Sequence, residues 1–226
     1  MQSSALLHLL QLVSPSLPVG AYSYSQGLEV AIDKGVVNNA ESARRWISDQ
    51  LQHVLAHFEA PVFWRLLQAF AARDQVAVSL WSERFLAARD SAEPRAETIQ
   101  MGYSLGRLVT ELQIADPTLL ALLHSQTDLP LPCALACAAV ALSVPHEAAL
   151  LGMLFSWTEN QVLVCVKSVP LGQVAGQRLL LSLGPEIEAA AATAQQLRDD
   201  QLSSWWPGLS LLSMQHEVQY SRLYRS

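Results

Sequence analysis

Charge is what this sequence has little of. Only 15% of its 226 residues are Asp, Glu, Lys or Arg, where soluble domains usually carry about 25%. The balance is acidic, with a net charge of -6 and no Lys/Arg-rich run. A protein that grips nucleic acid through phosphates needs a basic face, so that class is set aside. Cysteine is scarce too: Cys133, Cys137 and Cys165 make three. An odd, small number argues against a disulfide scaffold and fits a reducing compartment, the cytoplasm. No basic segment precedes the N-terminal leucines and no cleavage pattern follows them, so a signal peptide is not expected. The longest uncharged stretch, between Asp128 and His146, falls short of a membrane span and begins on Pro130 and Pro132. It reads as a buried core helix. Neither G-x-x-x-x-G-K-[ST] nor G-x-G-x-x-G occurs, which argues against nucleotide hydrolysis by this chain.

What is present is apolar, at 51% of residues. A compact monomer of this mass exposes roughly 10,000 Å². Its 14 basic and 20 acidic residues then cover that surface at about one charge per 300 Å². Such thin cover points to an interface with a second copy or an obligate partner.

The helical period dominates and strand alternation is rare. Leu6 to Val13 form a greasy first helix that Pro15 stops. Residues 14–22 are a Pro- and Gly-rich loop. Ser23 with Gln26 fits a capping box for a second helix, which Gly35 ends. Asn38 or Asn39 opens a third, with an apolar stripe from Ala43 to Phe58 that Pro61 kinks or restarts. Further helices are expected at 75–89, 95–113, 117–125, 132–143, 146–168, 171–183 and 185–200, several with proline near the start. The stretch 199–210 reads as the most flexible, separating the body from a tail at 211–226. The fold expected is all-α: one compact domain over residues 1–226, of about ten helices.

Gly102-Tyr-Ser104-Leu-Gly106 spells the G-x-S-x-G of hydrolases. That motif needs a strand before the serine, and Ala96 to Met101 read as helix. Asp128 with His146 or His216 would complete a triad, but a chain this long offers such residues anyway. Close packing through glycines four apart is the simpler account. His53 and His57 share a helix face and could offer two imidazoles to a metal, too few alone. Cys133 and Cys137 lie in an apolar run, where cysteine packs as a small hydrophobe. Lys167 suits a helix C-terminus before Pro170, which leaves the polar Gln173 unexplained. The tail MQHEVQYSRLYRS is basic and aromatic on an acidic protein. If helical, Arg222 and Arg225 share a face, as do Tyr220 and Tyr224. Tyr and Arg are typical interface anchors, so a docking tail is expected.

Residues 12 to 29, LVSPSLPVGAYSYSQGLE, closely resemble the N-terminal signature of the UreF family of urease accessory proteins. The tail from Gln219 to Ser226 is similar to that family's C-terminus, and Val166 to Gln173 to a third segment. Met101 to Leu108 falls where the family has a comparable helix. Ala21 departs from it, standing where many members have a second glycine. The resemblance implies a non-enzymatic, dimerising all-α protein. It implies assembly with UreD (UreH in some systems), the GTPase UreG and the urease apoprotein. The complex, not this chain, would handle nickel, and no cofactor would be stably bound. It also implies partner contacts at Tyr22, Ser23, Tyr24, Gln26, Glu29, Lys167, Gln173, Arg222, Tyr224 and Arg225. His53 and His57 remain open as a transient nickel contact.

Overall fold

The computed structural model describes residues 2–226. Among them no strand occurs. The α-helices, in chain order, are α1 (Ser3–Leu12), α2 (Leu28–Asp33), α3 (Ala40–Gln50), α4 (Ala60–Ala72), α5 (Gln75–Ala87) and α6 (Ala92–Glu111). Then come α7 (Pro117–His124), α8 (Leu131–Ala141), α9 (His146–Ser168), α10 (Gln173–Ser182), α11 (Gly184–Gln196) and α12 (Pro207–His216).

Local chemistry explains most boundaries. Asn39 caps α3: its side chain accepts from Ser42 N while the Ser42 hydroxyl accepts from Asn39 N. Asp74 and Asp116 cap α5 and α7 in the same way, each accepting from the third residue on. Gly35, at φ 71°, turns the chain out of α2. The second helix departs from expectation. Ser23 and Gln26 form no capping box; α2 starts later, after Gly27 at φ 81°. Both residues are drawn instead into bonds with distant parts of the chain, described below.

The restart expected at Pro61 is observed: α4 begins at Ala60, with Pro61 in its first turn. Leu51–Glu59 is a π-helix that joins α3 to α4, and the Ala60 N–H reaches back to the Leu55 carbonyl. Proline has no N–H to offer the carbonyl four residues earlier. That carbonyl, on His57, is taken by Ser203 N–H at 3.1 Å. The supposedly flexible 199–210 stretch is therefore pinned down. Trp206 stacks on His53 with centroids 4.8 Å apart, and α12 begins immediately after it.

The core centres on α8, which packs against α4 and α6. Cys133, Ala134, Ala136, Cys137, Ala138 and Ala139 are all buried there, so this helix is apolar and small nearly all round, as a central helix must be. Burial pushes the thiols of Cys133, Cys137 and Cys165 up to about 12. Their role is packing. By length and composition α9 could cross a membrane, but half of its most apolar window is buried inside the protein.

Gly102 and Gly106 explain the G-x-S-x-G sequence. They sit mid-helix in α6, buried against the turn before α8. A Cβ on Gly102 would lie 2.0 Å from the Leu129 carbonyl oxygen. Ser104 bonds back to the Gln100 carbonyl at 2.9 Å within the same helix. No strand-to-helix elbow is present, so the serine-nucleophile reading fails on geometry. We predict that Gly102→Ala lowers stability by about 3 kcal/mol in chemical denaturation, because backbone, not a flexible side chain, stands in the way.

Candidate functional site

The two ends of the chain meet in one buried polar node. The Ser226 main-chain oxygen accepts from Ser25 N at 2.6 Å, Ser25 Oγ at 2.7 Å and Gln26 N at 3.1 Å. Arg225 N donates to the Ser23 carbonyl at 2.7 Å. Residues 217–226 are not helical, so their main-chain donors need outside acceptors. Glu29 supplies two: Oε1 accepts from Leu223 N at 2.7 Å and Oε2 from Tyr224 N at 3.1 Å. The first turn of α2 thus holds the tail with one carboxylate.

His216 closes the other side. Its ring is fully buried, with Nε2 3.0 Å from Glu29 Oε2 and Nδ1 2.7 Å from Glu93 Oε2. Both ring nitrogens thus face a carboxylate oxygen. Arg222 Nη1 donates to the second oxygen of Glu93 at 2.6 Å. Two carboxylates and two basic groups, one basic group being a histidine, interlock tail, α2 and α6. One member removed leaves a buried charge without its partner.

α6 and α9 complete the node. Gln26 Nε2 donates to Glu97 Oε1 at 2.6 Å, and Trp157 Nε1 donates to Gln26 Oε1 at 2.6 Å. The Ser226 hydroxyl donates to Glu97 Oε2 at 2.7 Å. Tyr24 donates to Gln100, Asn160 to the Tyr24 carbonyl and Gln161 to the Ser25 carbonyl. Tyr224 is buried beside Ser168 at the end of α9. Their two hydroxyls lie close without an aligned hydrogen bond.

The structure brings Ser23, Tyr24, Gln26, Glu29, Arg222, Tyr224 and Arg225 into this node. Several are spent on internal bonds rather than displayed. Tyr22 is half-buried nearby, and burial together with the Glu159 charge raises its phenol. Lys167 and Gln173 are exposed, one at the end of α9 and one at the start of α10. The tail is not the helix that would pair its arginines and tyrosines: Tyr220 is 100% exposed and Tyr224 only 7%. Sequence reasoning missed Glu93, Glu97 and Gln100 on α6, Trp157, Asn160 and Gln161 on α9, and His216 in this role. The spacing of Glu93, Glu97 and Gln100 marks one polar helix face, and that was the available signal. Ala21 causes no strain, since the positive φ falls on Gly20 at 80°. His53 and His57 are each engaged locally, by the Trp206 stack and by a bond from His57 Nδ1 to the Gln52 carbonyl. Among the described residues, no group of three or more His, Cys, Asp or Glu is arranged to hold a metal.

Burial raises the Glu97 carboxyl from 4.5 to about 7, against the hydrogen bonds from Ser226 and Gln26 that lower it. A carboxyl raised in the folded state stabilises most below its unfolded value and loses that contribution as pH rises through the folded one. Stability therefore falls between pH 4.5 and about 7 on account of this group. We predict that Glu97→Gln flattens that slope, by up to about 3 kcal/mol, in denaturation measured at several pH values.

Sequence comparison agrees with the geometry. The UreF family profile matches residues 37–184. A urease accessory protein UreF of Janthinobacterium sp. (strain Marseille) is 74% identical over the full length of both chains. That of Nitrosospira multiformis is 63% identical over 98% of each chain, and that of Azoarcus sp. (strain BH72) 49% identical over 98% of this chain and 95% of its own. The family profile lies between the end motifs, and the relatives align through both of them. An all-helical chain whose two ends lock together around Glu29 and Ser226 belongs to the UreF family of urease accessory proteins.

Proposed function

We propose that this chain is a non-enzymatic scaffold of urease maturation. It dimerises and assembles with UreD/UreH, the GTPase UreG and apo-urease in the cytoplasm. There it regulates the GTPase while nickel, the cargo, is delivered. Family membership supports the setting. The observation that carries the scaffold role is the node, which turns a non-helical tail into a fixed platform. While Tyr224 and Ser226 are buried, the same segment holds Val218 84%, Tyr220 100% and Leu223 78% exposed. Apolar side chains held rigidly outward give a partner contact area at little entropic cost. The buried, unpaired thiols suit a reducing compartment.

A second face supports self-association. Leu9 and Val13 of the α1 end seat on Gly152 of α9. The neighbouring strips, Leu6 and Leu10 on one helix and Leu151 and Phe155 on the other, flank that seam and are exposed. Patches of this kind mark interfaces.

Two experiments test the reading. Tyr220→Ala/Leu223→Ala removes exposed groups only. We expect unchanged melting but at least tenfold weaker capture of the UreD–UreG assembly in coexpression, with urease activation reduced to match. Unchanged assembly would remove the tail from the docking surface. Phe155→Glu is expected to convert a dimer to a monomer in light scattering; a dimer that persists assigns the contact elsewhere.

A further inference from the structure

The fold holds a partly open cavity of about 220 Å³ that shares Gln26, Glu97, Trp157 and Asn160 with the node but extends away from the tail into the apolar core. It lies between the π-helical segment, α6, α8 and α9, with Trp206 and Leu209 along one side. Its wall is mainly apolar, with Leu55, Leu105, Leu135 and Met153 among the lining residues.

Three observations set it apart from a packing defect. The first is the π-helix. Gln50, Val54, Leu55 and Glu59 all line the cavity, at spacings of four and five that an i→i+5 ladder brings onto one face. Such helices are rare and recur at functional sites. The second is unmet hydrogen bonding. Gln50 is 3% exposed and its Nε2 has no acceptor; Arg89 Nε has none either. Both residues line the cavity, and a buried donor without an acceptor is costly. The third is charge. Arg89 pairs with Glu59 at 2.7 Å and the Asp90 carboxylate also lines the wall, so no cation is left there to receive an anion. Glu97, also in the wall, is pushed towards its neutral form by burial.

We propose that this cavity binds a small uncharged amphiphile: a hydrocarbon body with one hydroxyl or carbonyl oxygen, about nine heavy atoms in all, given that a cavity of roughly 150 Å³ admits benzene. The ligand oxygen accepts from the Gln50 amide, which turns to meet it, and the hydrocarbon lies along Leu105, Leu135 and Met153. An anionic ligand is disfavoured, because the wall would strip its water while its cation, Arg89, is already paired and Asp90 adds negative charge.

Titration calorimetry of the full chain with octan-1-ol and with octanoate at pH 6, below the raised Glu97 value of about 7, tests this. The alcohol is expected to bind saturably, one per chain, and octanoate at least tenfold more weakly. Gln50→Leu should weaken the alcohol about fivefold, the loss of one buried hydrogen bond. Leu135→Trp and Met153→Trp, made separately, should each abolish binding by filling the space. The proposal is overturned if no saturable binding of the alcohol is seen, if both tryptophan variants bind unchanged, or if octanoate binds more tightly. If a tryptophan variant fails to fold, unchanged affinity in Gln50→Leu is sufficient to reject the polar anchor.

Discussion

Backbone that leaves a helix and enters the protein interior must find hydrogen bonds outside itself. Residues 217–226 are in that position, and Glu29 is the main answer to it. One carboxylate on the first turn of α2 accepts two main-chain N–H groups and faces the buried ring of His216. The rest of the node follows from that contact. With the tail held at Leu223 and Tyr224, Ser226 is delivered to Ser25 and Glu97, and Arg222 to Glu93. The outward-facing residues are exposed because their neighbours in sequence are fixed inward.

This arrangement separates two jobs within one short segment. Alternate positions are spent on the body and on the solvent: Tyr224 and Ser226 are buried, while Leu223 and Arg225 are exposed. A helical tail would divide its residues by face over longer intervals. The irregular backbone permits closer alternation, at the cost of needing acceptors such as Glu29 and the Ser23 carbonyl.

The fold was legible in the sequence wherever local chemistry decides. Pro15, Gly35, Asn39 and the helical period of the apolar residues marked elements whose bounds differ from the structure by a few residues, and α9 was read at its observed limits. Close packing at Gly102 was also legible, because glycines four apart on a helix have few other uses. The node was not. Its bonds link residues 71 to 202 apart in sequence, from Gln26–Glu97 to Ser23–Arg225, and no local pattern announces them. Ser23 and Gln26 looked like a helix cap because, among near neighbours, that is their best use; a distant tail and a distant glutamate outcompete it. The strap at 199–210 looked loose because the free His57 carbonyl that receives it arises from Pro61, some 140 residues earlier.

The same long reach has a consequence for how the protein comes into being. Ribosomes deliver a chain from its N-terminus, and helices with local contacts can form as they emerge. The Ser25 hydroxyl and the Glu29 carboxylate are made early, yet the main-chain groups they hold belong to residues 223–226. Until residues 223–226 leave the ribosome, Glu29 has no tail N–H to accept and Ser25 no tail oxygen to donate to. The platform therefore forms only when translation of this region is finished, and a product cut short before His216 lacks it altogether. Locking residues 25–29 to residues 223–226 makes an early segment wait for one made 194 to 201 residues later.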